Sequence, residues 1–324
     1  MRRTFIRFLS MFSAVLAATA GSPACAQKYP ANPVTLVMPF QAGSSSDVIG
    51  RIMAEELRGV LGGTWVVDNK PGANSAVGAV AALRAPANGH TIYWSTSSSH
   101  SVNPSLYKSL PYDPIADFTQ IARVATFPWA LIVNREIPVS DVRQFIDYAR
   151  ARQGQLNYGH GNAVGQVAGA AFASMAGFKA EAISYKGAPQ ALIDLLAGRL
   201  QFMFSDFSII GPYLNSDKLR ILGVTTPTRT ELMPGIPTIA DAALPGFQII
   251  GWAGMAVARG TPADIVTVLA RTTDELLGTP RVRQRILAQG IQPAPLIGAE
   301  FDKFVRDQKD YWGVRVKEAG IPPE

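Results

Sequence analysis

A chain of 324 residues with a formal charge of +6, one cysteine and 48% hydrophobic residues has the length and apolar content for two α/β cores, and no cysteine pair for a disulfide. Its basic excess is small and scattered, with no Lys/Arg cluster interleaved with aromatics, which excludes a nucleic-acid binder. No His-Glu-x-x-His run and no Cys/His cluster offers a metal site, and no complete cofactor fingerprint is present, so no metal and no cofactor is expected.

The chain opens on a targeting segment. Arg2, Arg3 and Arg7 precede an apolar run at 8–20 and the small-residue site Ala24-Cys25-Ala26, the layout of a signal peptide over 1–26, cleaved after Ala26 on export to the periplasm. The run is too short to span a bilayer comfortably. Lipid anchoring at Cys25 is the weaker alternative, because Ser22-Pro23-Ala24 does not fit the Leu-small-small pattern before a lipidated cysteine. Removing those arginines takes the charge from +6 to +3, a mildly basic balance that suits an acidic small ligand, with a solvated surface as the simpler account.

Residues 34–63 set an apolar strand (34–38), a small-residue turn (39–47) and an amphipathic helix ending at Gly62-Gly63 in direct succession. Ser45, Ser46 or Asp47 can cap that helix, whose unpaired N–H groups attract anions. A strand at 64–69, a turn at 70–74 and a helix at 75–83 follow, then a strand at 91–95 that runs into a hydroxyl-rich loop, Thr96-Ser97-Ser98-Ser99-His100-Ser101. Ligands bind at that carboxyl edge of open parallel sheets. Residues 103–118 form a Pro- and Asp-rich surface excursion, and the apolar stretch 121–134, broken by Pro128, reads as a strand leaving one domain for another.

A second series starts at Ser140: helices at 142–152, 164–175 and 189–197, strands at 156–158, 182–185, 200–204 and 219–224, and a short helix near 209–214, giving a second parallel sheet. The apolar stretch 247–258 crosses back, and 261–320 reads as three helices returning to the first lobe. The fold class expected is α/β with two lobes, parallel sheets and a two-stranded hinge. Lobe 1 is 27–128 with 252–324, lobe 2 is 129–251, and the crossings lie near 124–134 and 247–258. Such a hinge leaves a cleft that can close.

The turn Gly159-His160-Gly161-Asn162-Ala163-Val164-Gly165 opens a second helix but fails the dinucleotide pattern, because Val164 stands where a glycine is required and no acidic residue follows at the right strand end. Two such helix ends facing one cleft would hold carboxylates without arginine. Asp206, at the end of the strand 200–204, is either an acceptor for a ligand's ammonium or hydroxyl or the cap of the next helix. Tyr185-Lys186-Gly187 is similarly placed. Only three histidines exist. His90 sits in an exposed turn, and no Gly-x-Ser-x-Gly elbow marks a nucleophile.

The stretches PFQAGSSSDVIGR (39–51), VVDNKPGANSAVGAVAA (66–82), NPSLYKSLPYDPIADFTQIARV (103–124), SYKGAPQALIDLLAGRLQFMFSD (184–206) and MPGIPTIADAALPGF (233–247) resemble the Bug family, periplasmic solute-binding proteins of tripartite tricarboxylate transporters. The resemblance implies a Venus-flytrap fold, no catalysis, and capture of a small carboxylate (an organic acid, acidic amino acid or aromatic acid) for transient delivery to the transporter's membrane subunits, by a monomer. By position it nominates Phe40, Gly43, Ser44 and Ser45, Ser97, Ser98 and Ser99, the turn Gly159, His160, Gly161, Asn162, Ala163 and Val164, and Asp206. Two departures stand out. Gln41-Ala42-Gly43-Ser44 replaces the usual Pro-Pro-Gly-Gly, and the second turn is about two residues short and lacks the usual hydroxyls. His160, Asn162 or Gln166 would substitute, implying a ligand other than the simplest dicarboxylates. With His160 in the cleft, anion binding is expected to tighten as pH falls through the imidazole range. The rival readings are a ligand-loaded partner of a membrane sensor kinase and an exported hydrolase using Ser44 to Ser46 with His100 or His160.

Overall fold

The computed structural model describes residues 29–323, so the targeting segment and Cys25 lie outside the described residues. Strand β1 (Val34–Met38), buried along nearly its whole length, runs parallel between β2 (Trp65–Asn69) and β3 (Thr91–Thr96). Helix α1 (Ser45–Leu61) and helix α2 (Ala76–Leu83) connect these strands. The buried Glu56 of α1 accepts from Arg281 and Arg285, which ties α1 to the C-terminal region.

Strand β4 (Phe118–Asn134) is 17 residues long, roughly 55 Å of extended chain, and serves both lobes. Over 118–128 it pairs antiparallel with β9 (Ile250–Ala258), which itself flanks β3. From Trp129 onward it lies instead between β7 (Phe202–Asp206) and β8 (Leu219–Val224), antiparallel to both. Its partner changes at Pro128, the residue with no N–H to give to a ladder. Strand β5 (Leu156–His160) then runs parallel to β6 (Ala180–Ser184) and β7. Each lobe therefore has a parallel βαβ portion, as the alternating pattern predicts, edged by the antiparallel hinge strands β4 and β9. Helices α3 (Val142–Arg150), α4 (Ala163–Ala176) and α5 (Ala188–Leu196) belong to the second lobe.

Two local expectations need correction. Residues 96–101 are not a loop: Ser98–Val102 form a π-helical turn continued by Asn103–Leu106, and all are buried or nearly so. The segment 261–320 holds α6 (Ala263–Gly278), α7 (Pro280–Leu287) and α8 (Ala299–Glu318), but also a strand, β10 (Gln292–Ile297), paired antiparallel with β4. Pro293 and Pro295 disguise it, and an edge strand tolerates them because its outward side needs no donors. Helix α8 also reaches both lobes, packing on the 98–106 helix and on α4, where Ser174 donates to the Glu318 carbonyl at 3.1 Å. No helix among the described residues is long and apolar enough to cross a membrane.

Candidate ligand-binding cleft

The turn before α1 is built from short-range bonds. Gly43 takes φ +80°, a conformation costly for any residue with a Cβ, and donates its N–H to Asp47 Oδ2 at 2.9 Å. Asp47 is buried and also accepts from Arg51 Nε at 2.9 Å and Asn69 Nδ2 at 2.8 Å. Burial pushes its carboxyl up, but those bonds outweigh burial and hold it below the usual carboxylate range. The cap is Ser44, whose Oγ accepts from the Asp47 N–H, rather than Ser45, Ser46 or Asp47. Ser45 Oγ is thereby left to reach across the cleft, donating to Asp206 Oδ1 of the other lobe at 2.6 Å.

On that other lobe Asn162 caps α4, its Oδ1 accepting from Gly165 N–H at 2.9 Å. Helix α5 starts beside it after Gly187 without a side-chain cap. The two starts touch: a Cβ on Gly161 would stand 2.1 Å from the Ala188 nitrogen. The first turns of α1, α4 and α5 thus converge on one chamber of about 60 Å³, lined by Ser44–Ser46, Gly161, Asn162, Val164 and 187–189. Each of these helices has unpaired N–H groups and the positive end of a dipole there. Roughly 10–15 Å³ of such space holds a water, so the chamber takes one small molecule.

Phe40, Ser44, Ser45, Ser97, Ser98, Gly161, Asn162, Val164 and Asp206 all reach its walls. Ser97 Oγ accepts from Trp252 N–H at 2.7 Å, pinning the π-turn to β9. Asp206 also caps the Phe207–Ile210 turn, accepting from the Ser208 N–H and Oγ at 3.1 and 2.7 Å, which is the capping role considered for it. Burial raises its carboxyl above the ordinary value against those bonds.

Five nominated residues sit elsewhere. Gly43 lies behind the turn, Gly159 packs β5 against Leu200, and Ala163 is within the buried start of α4. Ser99 turns inward to His100 Nδ1 at 2.9 Å. His160 lines a wider neighbouring chamber of about 570 Å³ with Lys186, Tyr185 and the turn 72–75. Burial lowers His160 to about 4 and the fully enclosed His100 to about 3, so neither imidazole carries charge near neutrality. What the sequence does not signal is the aromatic wall of Phe127 and Trp129 on β4 and Trp252 on β9, or the α5 start. Of these only the position of Tyr185-Lys186-Gly187 after a strand gave any hint. Among the described residues Asp206 is the sole ionisable side chain lining the chamber, and no group of three or more metal-ligating side chains occurs.

Two α/β lobes joined through β4 and β9, with a chamber of helix ends between them, define the periplasmic binding protein class. The chain belongs to the tripartite tricarboxylate transporter family receptors, TctC, whose family model matches residues 49–321. It is 30% identical to protein BugT of Bordetella pertussis over 312 residues, covering 94% of this chain and 95% of that one. Among solved structures it is similar to R. palustris Rpa4515 with adipate (32% identity, TM-score 0.88, 91% of this chain and all of that one). It is similar also to MatC from Rhodopseudomonas palustris with bound malate (26%, TM-score 0.83, 89% of this chain and all of that one).

Proposed function

We propose that this protein is a periplasmic receptor that captures a small carboxylate in the chamber between its lobes and hands it to the membrane subunits of a tripartite transporter, as a monomer and without catalysis. The observation that carries this is the convergence of three helix N-termini on a chamber with no lysine, arginine or histidine among the described residues of its walls. Backbone N–H groups and helix dipoles there take an anion without a side-chain cation. In this reading the first turns of α1 and α4 hold the carboxylate, with hydroxyls of Ser44, Ser45, Ser97 and Ser98 beside them. Lobe 1 comprises 27–128 and 252–324, lobe 2 comprises 129–251, and the leader 1–26 is removed on export. The solved relatives with adipate and with bound malate support a carboxylate.

A hydrolase fits poorly. His100 is sealed in the core against Ser99, and His160 belongs to the neighbouring chamber, so neither stands beside Ser44–Ser46 as a base. A sensor partner would use the same chamber and differs only in what reads the loaded state.

The test is a thermal-shift panel on the mature chain, refolded to strip carried-over ligand, against di- and tricarboxylates, acidic amino acids, nicotinate and aromatic acids. A carboxylate at 100 times its Kd adds about 2.7 kcal/mol of stability, a readable shift. Turnover of an ester with no carboxylate moving the midpoint would overturn the proposal.

A further inference from the structure

Trp129 and Asp206 are direct cross-strand partners in the antiparallel β4–β7 pair. Opposed residues of such a pair put their side chains on one face, with Cβ atoms about 5 Å apart. Both line the chamber, and both are more than nine-tenths buried, at 4% and 7% exposure. The Trp129 Nε1–H has no hydrogen-bond partner among the described residues. Glycines flank its ring: Nε1 lies 3.0 Å from where a Cβ on Gly251 would stand, and Cζ3 lies 3.4 Å from one on Gly165. Any larger residue at 251 would cover the indole donor. Gly251 also lines the chamber, and the indole nitrogen beside it is enclosed. The backbone of Trp129 is held in place, its carbonyl accepting from Thr225 N–H at 2.9 Å and Thr225 Oγ1 at 3.1 Å.

A buried N–H without a partner carries a desolvation penalty that a ligand acceptor removes. Beside this donor stands a carboxylate whose three bonds from Ser45 and Ser208 all fall on Oδ1. A ligand group at this point must accept from the indole and donate to Asp206. A second carboxylate accepts but is repelled by Asp206, and an ammonium donates but has no lone pair for the indole. A hydroxyl does both. Around the pair the walls are apolar, with Phe40, Phe127, Val164 and Ile209 facing the same space.

We infer that Trp129 and Asp206 form a hydroxyl-reading pair, and that the ligand is a carboxylate carrying a hydroxyl on a flat, apolar body, of which a hydroxylated aromatic monocarboxylate is the type. This rests on the chamber being the carboxylate site proposed above. The carboxylate end meets the helix N-termini, and the hydroxyl end meets the pair.

Calorimetric titration of the ligand-free mature protein with matched acids differing by one hydroxyl tests it: benzoate against 3- and 4-hydroxybenzoate, and succinate against malate. In the wild type a hydroxylated aromatic acid is expected to bind at least about tenfold more tightly than benzoate, since a site built to bond a hydroxyl rejects the analogue lacking it. Trp129→Phe keeps the ring and deletes the donor, and should bring the ratio to about threefold or less while benzoate still binds. If that variant fails to fold, Gly251→Ala, which covers the same N–H, should compress the ratio in the same way. Equal affinities across the matched pairs, or a ratio unchanged by these substitutions, overturns the inference and leaves the carboxylate site standing. Silence across all five acids and the wider carboxylate panel overturns the function itself, and this inference with it.

Discussion

The two glycine turns at the cleft look alike in sequence and are held by different forces. The turn before α1 is satisfied almost within itself. Gly43 supplies a positive φ in open space, Asp47 gathers its donors from residues 43, 51 and 69, and Ser44 caps the helix. The turn before α4 has its own cap in Asn162, but its glycine answers to another segment, because Gly161 is pressed against the first residues of α5. Local chemistry shapes the first turn and tertiary contact shapes the second. Ser45, released from capping, ties the first turn to the other lobe through Asp206 at the end of β7.

Substitutions should separate the two. Gly161→Ala sets a Cβ 2.1 Å from a backbone nitrogen, so the start of α5 must move. The loss is expected to be about 3 kcal/mol in chemical denaturation, the upper range for overpacking, together with at least a tenfold weaker carboxylate. A neutral result would mean that the two helix starts are not in rigid contact. Asp47→Ala strands the Gly43 N–H and the Asn69 amide, and should cost about 2 kcal/mol. Because the folded Asp47 carboxyl lies below its ordinary value, the wild-type advantage over this variant is full above the ordinary carboxylate range. It is lost as pH falls through the folded value, so the two denaturation curves should converge in acid. Gly43→Ala meets no neighbour and bears only the backbone penalty, about 1 kcal/mol. A larger effect than at Gly161 would reverse the contrast between the turns.

The smallest effect expected is none. With His160 held to about 4 and outside the chamber's walls, His160→Gln should leave the pH profile of carboxylate affinity unchanged from about pH 5.5 to 8, where an ordinary imidazole titrates. This replaces the His160-driven tightening expected from the sequence, and a tenfold gain on acidification that the substitution abolishes would restore it. The imidazole instead bears on stability. A depressed base favours the fold above its unfolded value and loses that contribution as pH falls toward the folded one.

Much of the first lobe was legible because its signals are short-range. The apolar run 34–38, the small-residue turn and the helical spacing after it lie within a few residues of one another, and the apolar stretches 121–134 and 247–258 marked the two hinge strands. The 96–101 segment was misjudged, since a hydroxyl run between a strand and a proline carries no helical period, yet burial against β9 and α8 winds it into a helix. Strand β10 was hidden by prolines that only an edge position permits.

The sequence by itself determined the alternation of strands and helices and the two crossings between lobes, because periodicity acts over a few residues, whereas the choice of Ser44 as the cap of α1 came from the structure. Only the tertiary structure decided the inside of the chamber. Phe127, Trp129 and Trp252 are only apolar members of the two crossing stretches until β4 exchanges β9 for β7 and β8 at Pro128. That exchange sets Trp129 beside Asp206, 77 residues away in the chain, a juxtaposition that no local pattern encodes, because it depends on which strands pair.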